Sequence, residues 1–340
     1  MRKNGRWYAV GVLFCALVMV SVGILALNGF FRPPADGTAN IQVLTIGTAD
    51  SGGTMYPVGR AIAEALNQYV PTLKLNIGAS GGSLANVEAL RNGQIDLGLV
   101  SGDVAYCAYH GTEEFSGKPL SGLRAIAAVY LSESNWLVQD SLSGVTYVHD
   151  LLGKRVAVGP ESSTTELSAR TALQVVGIDS TNTTLANYGL GSGCTAVEAG
   201  ELDAVHGMAG IPISAMQKLA ATEPCRLLLY TDEELDEILT ENDQYVRVTI
   251  PAWTYAGQAE DVSSFGVKCL LCVSQDMDEG LVYTLTKTLY QSIPELAERH
   301  SAVAEMAQDG FACNDLPIPL HSGAQRYYEE IGLLAAESPS

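Results

Sequence analysis

VLTIGTADSGGTMYPVGRAIAEALN, residues 43–67, reads as a short apolar strand, a Gly/Ser/Thr turn and an amphipathic helix. The same unit returns in the second half as RVAVGPESSTTELSARTALQVVG, residues 155–177. Each copy is followed by a second shared phrase, EALRNGQIDLGLVSG at 88–102 and AVEAGELDAVHGMAG at 196–210. Both phrases end a helix, stop it with glycine, pass through Ile or Leu and then Asp, and enter another strand. Gly93 and Asp96 precede Gly200 and Asp203 by 107 positions, and Gly47 precedes Gly159 by 112. A strand–turn–helix unit laid down twice predicts two α/β lobes, each with a mainly parallel sheet. Helix N-termini then point past the strand ends of both lobes, toward a cleft suited to an anion or a carboxylate.

The turns supply the candidate contacts. Asp50, Ser51, Gly52, Gly53 and Thr54 lead into a helix, and glycine permits the close backbone approach that an anion cradle needs. Ser80, Gly81, Gly82 and Ser83 form a second such turn, and Glu161, Ser162, Ser163 and Thr164 a third. Any one of them could serve only to turn the chain; three converging turns make the stronger case. Ser101 and Asp103 follow the strand at 95–100, where clefts open in α/β sheets, and Asp103 would either accept an ammonium group or cap the next helix. His206 holds the matching place in the second lobe, as a hydrogen-bonded wall residue rather than a base.

Along the chain, strands are expected at 41–46, 73–78, 95–100 and 125–130, with helices at 56–69 and 84–91. The segment after residue 130 would cross into the second lobe. There, helices are expected at 165–176, 194–199 and 212–221, and strands at 155–159, 184–188, 204–207 and 226–230. Strands at 246–250 and 262–273 lead back to the first lobe, and helices at 279–293, 294–307 and 325–335 finish the chain. The expected division is 41–132 plus 260–340 for the first lobe and 133–259 for the second, so the chain crosses twice, as a hinged clamp requires.

Arg2, Lys3 and Arg6 precede a nearly uncharged apolar run at 8–31, long enough to cross a bilayer. Residues 1–33 are therefore expected to be a signal peptide or a membrane anchor, with 34–40 a linker and the remainder outside the cytoplasm. Beyond Arg32, 15 basic residues face all 38 acidic ones, a net charge of about −23, which excludes nucleic acid as a partner. Six cysteines lie beyond the apolar run. Cys269 and Cys272 sit three apart in SFGVKCLLCVS, a strand, where they point to opposite faces and act as buried small hydrophobes. No H-E-x-x-H, G-x-S-x-G or P-loop is present, so the sequence predicts no metal site, no cofactor and no catalytic residues.

IGTADSGGTMYPVGRAIAEALN with ASGGSLANVEALRNGQIDLGLVSGDVAYCAYHG resembles the TAXI-type solute receptors of TRAP transporters. LRAIAAVYLSESNWLVQ, DLLGKRVAVGPESSTTELSARTAL, AGELDAVHGMAGIP, PAWTYAGQAEDVSSFGVKCLLCVSQDM and LVYTLTKTLY continue the resemblance in the same order, over roughly residues 41–300. It implies a bilobal periplasmic-binding-protein-like fold of type II, two α/β lobes joined by two hinge crossings with the ligand cleft between them. It also implies a monomeric extracytoplasmic receptor, not an enzyme, that captures a small carboxylate such as glutamate and hands it to a TRAP permease subunit. Carried onto this chain, its contacts would be Gly53, Thr54 and Tyr56, Ser80, Gly82 and Ser83, Ser101 and Asp103, and Ser162, Ser163 and Thr164. A membrane-anchored sensor and, less favoured, an exported enzyme on the same scaffold are the alternative readings.

Overall fold

The parallel order expected of the first half is formed by β1 (Gln42–Gly47), α1 (Met55–Tyr69), β2 (Leu73–Gly78), α2 (Ser83–Arg91), β3 (Leu97–Ser101) and α3 (Gly102–His110) in a computed structural model that describes residues 41–335. The apolar run at 8–31 and the linker at 34–40 lie outside the described residues. Among the described residues no helix is long and apolar enough to cross a membrane. In α1 the apolar positions Val58, Ala61, Ile62, Ala65 and Leu66 recur at helical spacing, and all are buried against the sheet.

The chain then enters β4 (Leu123–Gln139), which the sequence reading ended at 130. Instead of breaking at Ser-Glu-Ser-Asn, the strand runs on for 17 residues. Groups at 134 and 135 find partners far along the chain: Ser264 Oγ of the neighbouring strand donates to Ser134 O at 2.7 Å, and Tyr255 OH, from the turn before that strand, donates to Asn135 Oδ1 at 3.0 Å. Buried polar groups need such partners wherever the strand is covered on both faces.

The second half builds β5 (Arg155–Ala157), α4 (Thr164–Val175), β6 (Thr184–Ala186), α5 (Leu190–Glu198), β7 (Ala204–Ala209), α6 (Ser214–Thr222), β8 (Cys225–Leu227), α7 (Asp232–Glu241) and β9 (Val246–Ile250). The long strand β10 (Val262–Ser274) returns, followed by α8 (Glu279–Gln291), α9 (Ile293–Arg299), a 3-10 run (Ser301–Ala307) and α10 (Ser322–Glu330). The expected long helix at 294–307 is therefore split. His300 is extended, and its Nδ1 accepts from the Ala302 N–H at 3.3 Å to start the 3-10 run.

One sheet threads both halves in the order β2-β1-β3-β10-β4-β7-β5-β6, with β8 on β4 and β9 on β10. β1 pairs in parallel with β2 and β3, and β5 with β6 and β7, while β4 and β10 run antiparallel at the centre. The shared phrases of the two repeats do the same structural work. Gly93 and Gly200 end their helices at φ +64° and +70°, the left-handed region glycine adopts without strain. Asp96 Oδ2 accepts from Thr45 N–H at 2.8 Å, and Asp203 Oδ2 from Arg155 N–H at 2.7 Å, so each Asp fastens the strand that opens its repeat.

Buried apolar residues form two clusters on the sheet faces of each half. Phe265 and Val267 pack with the second half, and Cys269, Leu271 and Val273 with the first, so β10 joins both cores. Cys269 and Cys272 join different clusters on opposite faces, and all six described cysteines are free.

Candidate functional site

The C-terminal ends of the parallel strands in both halves face one cavity of about 500 Å³. The turn after β1 contributes Ala49, Asp50, Gly53, Thr54 and Met55, and the turn after β2 contributes Ser80, Gly81, Gly82 and Ser83. From the second half come Pro160, Ser163, Thr164 and Thr165 after β5, and Gly189, Leu190 and Ser192 after β6; Met208 and Ala209 end β7. Tyr130, on β4 between the halves, closes the back. This is the place where an α/β sheet leaves room for a ligand.

Three helices begin at this wall without a side-chain cap: α1 after Thr54, α2 after Gly82 and α5 after Gly189. Their first N–H groups lack intrahelical acceptors, and the helix dipole adds partial positive charge there. Gly82 sits at φ +101°, ψ −154°, a conformation essentially confined to glycine. Ser80 Oγ, 2.7 Å from Thr48 O and 2.8 Å from Asn86 Oδ1, accepts from Gly82 N–H at 3.0 Å and sets that turn. The buried Asn86 braces it, donating from Nδ2 to Thr48 O and to Leu99 O, both at 2.8 Å.

The halves touch around the cavity. Thr54 Oγ1, instead of capping α1, donates to Gly210 O at 2.5 Å. Thr164 Oγ1 donates to Ser83 Oγ at 2.9 Å, and Ala215 N–H to Gly52 O at 3.4 Å. A Cβ at Gly52 would lie 2.6 Å from Gly191 N, so the first turn fits against the second half only as glycine. The cleft is closed.

Charge at the wall is sparse. Among the described residues Asp50 is its only acidic one, and no Lys, Arg or His joins it. Asp50 Oδ1 accepts from Gly52 N–H at 3.0 Å. Tyr130 is fully buried, and its hydroxyl has no hydrogen-bond partner among the described residues. Burial raises its pKa well above the usual phenol range, so it stays a neutral donor.

Of the expected contacts, the fold brings Gly53, Thr54, Ser80, Gly82, Ser83, Ser163 and Thr164 to this wall, and it leaves Tyr56, Ser101, Asp103, Ser162 and His206 off it. Ser101 stands behind Ser83, giving its N–H to Ser83 Oγ at 2.9 Å. Asp103 faces a different groove, where Tyr245 OH donates to its Oδ2 at 3.3 Å; burial raises its pKa. Ser162, at φ +58°, donates its N–H to Glu166 Oε2 at 2.6 Å.

His206 is completely buried behind Thr165. Its Nδ1 lies 3.1 Å from Thr165 O, which can only accept, so Nδ1 carries the proton and Nε2 accepts from Ser134 Oγ at 3.0 Å. Ser134 in turn accepts from Tyr230 OH at 3.1 Å, and Tyr230 from Trp136 Nε1 at 2.6 Å. This directed chain fixes the start of α4. Burial, opposed by the bond to Thr165 O, lowers the His206 pKa to about 3, so the ring is neutral at pH 7. The sequence reading named Asp50 only as part of the first turn, not as a contact, and missed Tyr130 and the α5 N-terminus. Only the convergence of turns could have pointed to Asp50, and nothing in AAVYL marks Tyr130.

The model of the NMT1-like family matches residues 46–332, and so spans both repeats and all of the cavity wall. The chain belongs to the NMT1-like family. The α/β fold, a mixed sheet with helices packed on it, is shared with solved structures. A solved protein of Bordetella bronchiseptica RB50 is 14% identical, with a TM-score of 0.53 over 85% of this chain and 98% of that one. A periplasmic transporter is 13% identical at a TM-score of 0.51, covering 85% of this chain and 92% of that one. The alkanesulfonate-binding protein of Xanthomonas axonopodis pv. citri, bound to MOPS, is 17% identical at 0.48, with 84% and 82% covered. At these identities the likeness concerns the fold alone.

Proposed function

We propose that the chain is an extracytoplasmic solute receptor of the TAXI type, which binds a small carboxylate between its halves and delivers it to a TRAP permease. Support comes chiefly from one observation, the convergence of three uncapped helix N-termini on one cavity between the halves. Such a site takes a carboxylate without a cationic side chain. Asp50 refines the reading: it favours a ligand that also carries an ammonium group, so an amino acid should outrank a plain dicarboxylate. Tyr130 OH supplies a further donor, and Met55, Leu190 and Met208 an apolar wall. Nothing at this wall resembles a nucleophile paired with a base, which favours reversible binding over catalysis.

Release would come from bending β4 and β10 where they pass between the cores, near Leu131–Glu133 and Gly266–Lys268. In this reading the lobes are the two core groups, and the bonds from Thr54 to Gly210 and from Thr164 to Ser83 are made on closing.

Thermal denaturation of the full chain in mild detergent tests this, with amino acids, dicarboxylates, 2-oxo acids and sugars as additives. A ligand at 100-fold over its Kd should add about 2.7 kcal/mol of stability. A single amino acid recovered unchanged sharpens the reading to an amino-acid receptor. A converted ligand would replace it with an enzyme, and no stabilisation by any carboxylate would sink it.

A further inference from the structure

A second cavity, of about 410 Å³, opens beside β4 and shares no wall residue with the first. Glu133 of β4 lines it together with Glu305 and Ala302 of the 3-10 run and Gln217 and Trp253 of the second half. Glu133 is only 7% exposed, and its Oε2 has no hydrogen-bond partner among the described residues. Leaving a carboxylate oxygen buried and unpaired is costly, and native proteins rarely tolerate it without a ligand or ion. Among the described residues no Lys, Arg or His lines the cavity. Burial, then repulsion from Glu305, pushes the Glu133 carboxyl up to about 8, and burial raises Glu305 too. Trp253 stands at the rim, 74% exposed and at φ +67°, a conformation bulky residues seldom adopt. An indole face with two carboxyl groups matches one chemistry: the ring takes the flat or alkylated face of an organic cation, whose charge favours loss of the Glu133 proton, and the oxygens then take its N–H groups.

We propose that this cavity is a second binding site, for an ammonium or guanidinium group held by Glu133 and Glu305 against the Trp253 ring. Glu305 belongs to the first half and Trp253 to the second, so the bound cation bridges them beside the hinge strands. The proposal does not depend on which solute the main cavity takes. The same head group is offered by a free small molecule and by a Lys or Arg side chain of a partner protein.

Calorimetry on the full chain in mild detergent tests the site, with methylguanidinium, ethylammonium, a capped Gly-Arg-Gly peptide, Na⁺ and Mg²⁺ as probes. An organic cation should bind the wild type, weaken about tenfold or more in Glu133→Gln, and weaken about threefold in Trp253→Ala. Glu305→Gln repeats the charge test if Glu133→Gln does not fold, and Asp50→Asn should leave this binding in place. A peptide that binds at least as well as methylguanidinium assigns the site to a partner's side chain; a peptide that is excluded assigns it to a free cation. The proposal is overturned if neither organic cation binds the wild type, if both Gln variants bind like it, if binding vanishes in Asp50→Asn instead, or if Mg²⁺ or Na⁺ competes at equal concentration.

Discussion

The turn at 50–54 and the turn at 160–164 open equivalent repeats, yet they use their hydrogen-bond donors in opposite ways. In the first, Thr54 turns its hydroxyl across the cleft to Gly210 and leaves the start of α1 uncapped. In the second, Ser163 Oγ caps α4 by accepting from Glu166 N–H at 3.2 Å. Glu166 itself reaches back into its turn. Its carboxylate accepts from Ser162 N–H at 2.6 Å, from Asn187 Nδ2 at 2.9 Å and from Arg170 at 2.7 Å. Burial works against that charge, but the Asn187, Arg170 and Ser162 bonds outweigh it and the pKa is lowered. In the first turn Asp50 takes only the Gly52 N–H and the start of the helix stays open, whereas in the second Glu166 reaches back across its turn. A repeated backbone does not imply a repeated site, because the side chain three positions past the cap decides who occupies the N–H groups.

Breaking the second turn should have the largest effect. Glu166→Ala leaves Ser162 at positive φ without its acceptor and strands the Asn187 and Arg170 donors. We expect a loss of about 3 kcal/mol in denaturant unfolding, against a much smaller loss for Thr54→Ser, which keeps the hydroxyl. If Glu166→Ala instead creates a measurable affinity for sulfate, the occupied-turn account is strengthened directly.

His206 offers the next contrast, since the matching position in the first repeat is the fully buried Leu99. The His206 pKa is lowered in the fold, so its contribution to stability is present above about pH 6.5 and is lost as pH falls toward 3. The slope approaches ~1.4 kcal/mol per pH unit. His206→Leu should cost about 2 kcal/mol at neutral pH, by unpairing Ser134 and Thr165 O, and should flatten this acid limb. An unchanged acid limb would show that other groups set it.

Gly82→Ala probes the open side of the comparison. No atom lies within 4 Å of the added Cβ, so the penalty is purely that of the backbone at φ +101°. About 1–3 kcal/mol is expected, together with a loss of ligand-induced stabilisation as the α2 N-terminus shifts. The smallest effect on stability should come from Asp50→Asn, within about 0.5 kcal/mol. That change should still weaken an amino acid about tenfold while sparing the matching acid that lacks the amino group. Equal losses for both ligands would remove the ammonium from the account.

Most of the framework was legible because it depends on local rules. Period-3.6 burial in α1, the glycines that stop α2 and α5, and the Asp that follows each of them are written in adjacent residues. The misreadings have a common cause. β4 was expected to end at residue 130 before the crossing, but it continues because Ser134 and Asn135 are paired by residues far along the chain. The helix after β6 was expected to start at Cys194, although Gly191 and Gly193, poor helix formers, lie within the helix that forms. It starts at Leu190 because a Cβ on Gly193 would press on Val205 and Ala157, at 3.1 and 3.2 Å, so that the glycine lets helix and sheet close.

By itself, then, the sequence determined that two like α/β halves would form and that their turns would meet, because strand, turn and helix signals act over a few residues. The Ser163–Glu166 pair that occupies the second turn is local, but only the tertiary structure turned the Thr54 hydroxyl across to Gly210 and left the first turn open. It also placed Asp50 and Tyr130 on the cavity wall, withdrew His206 behind it, and buried Glu133 beside Glu305. Each of these outcomes depends on partners that lie tens of residues or more away, where spacing along the chain carries no information.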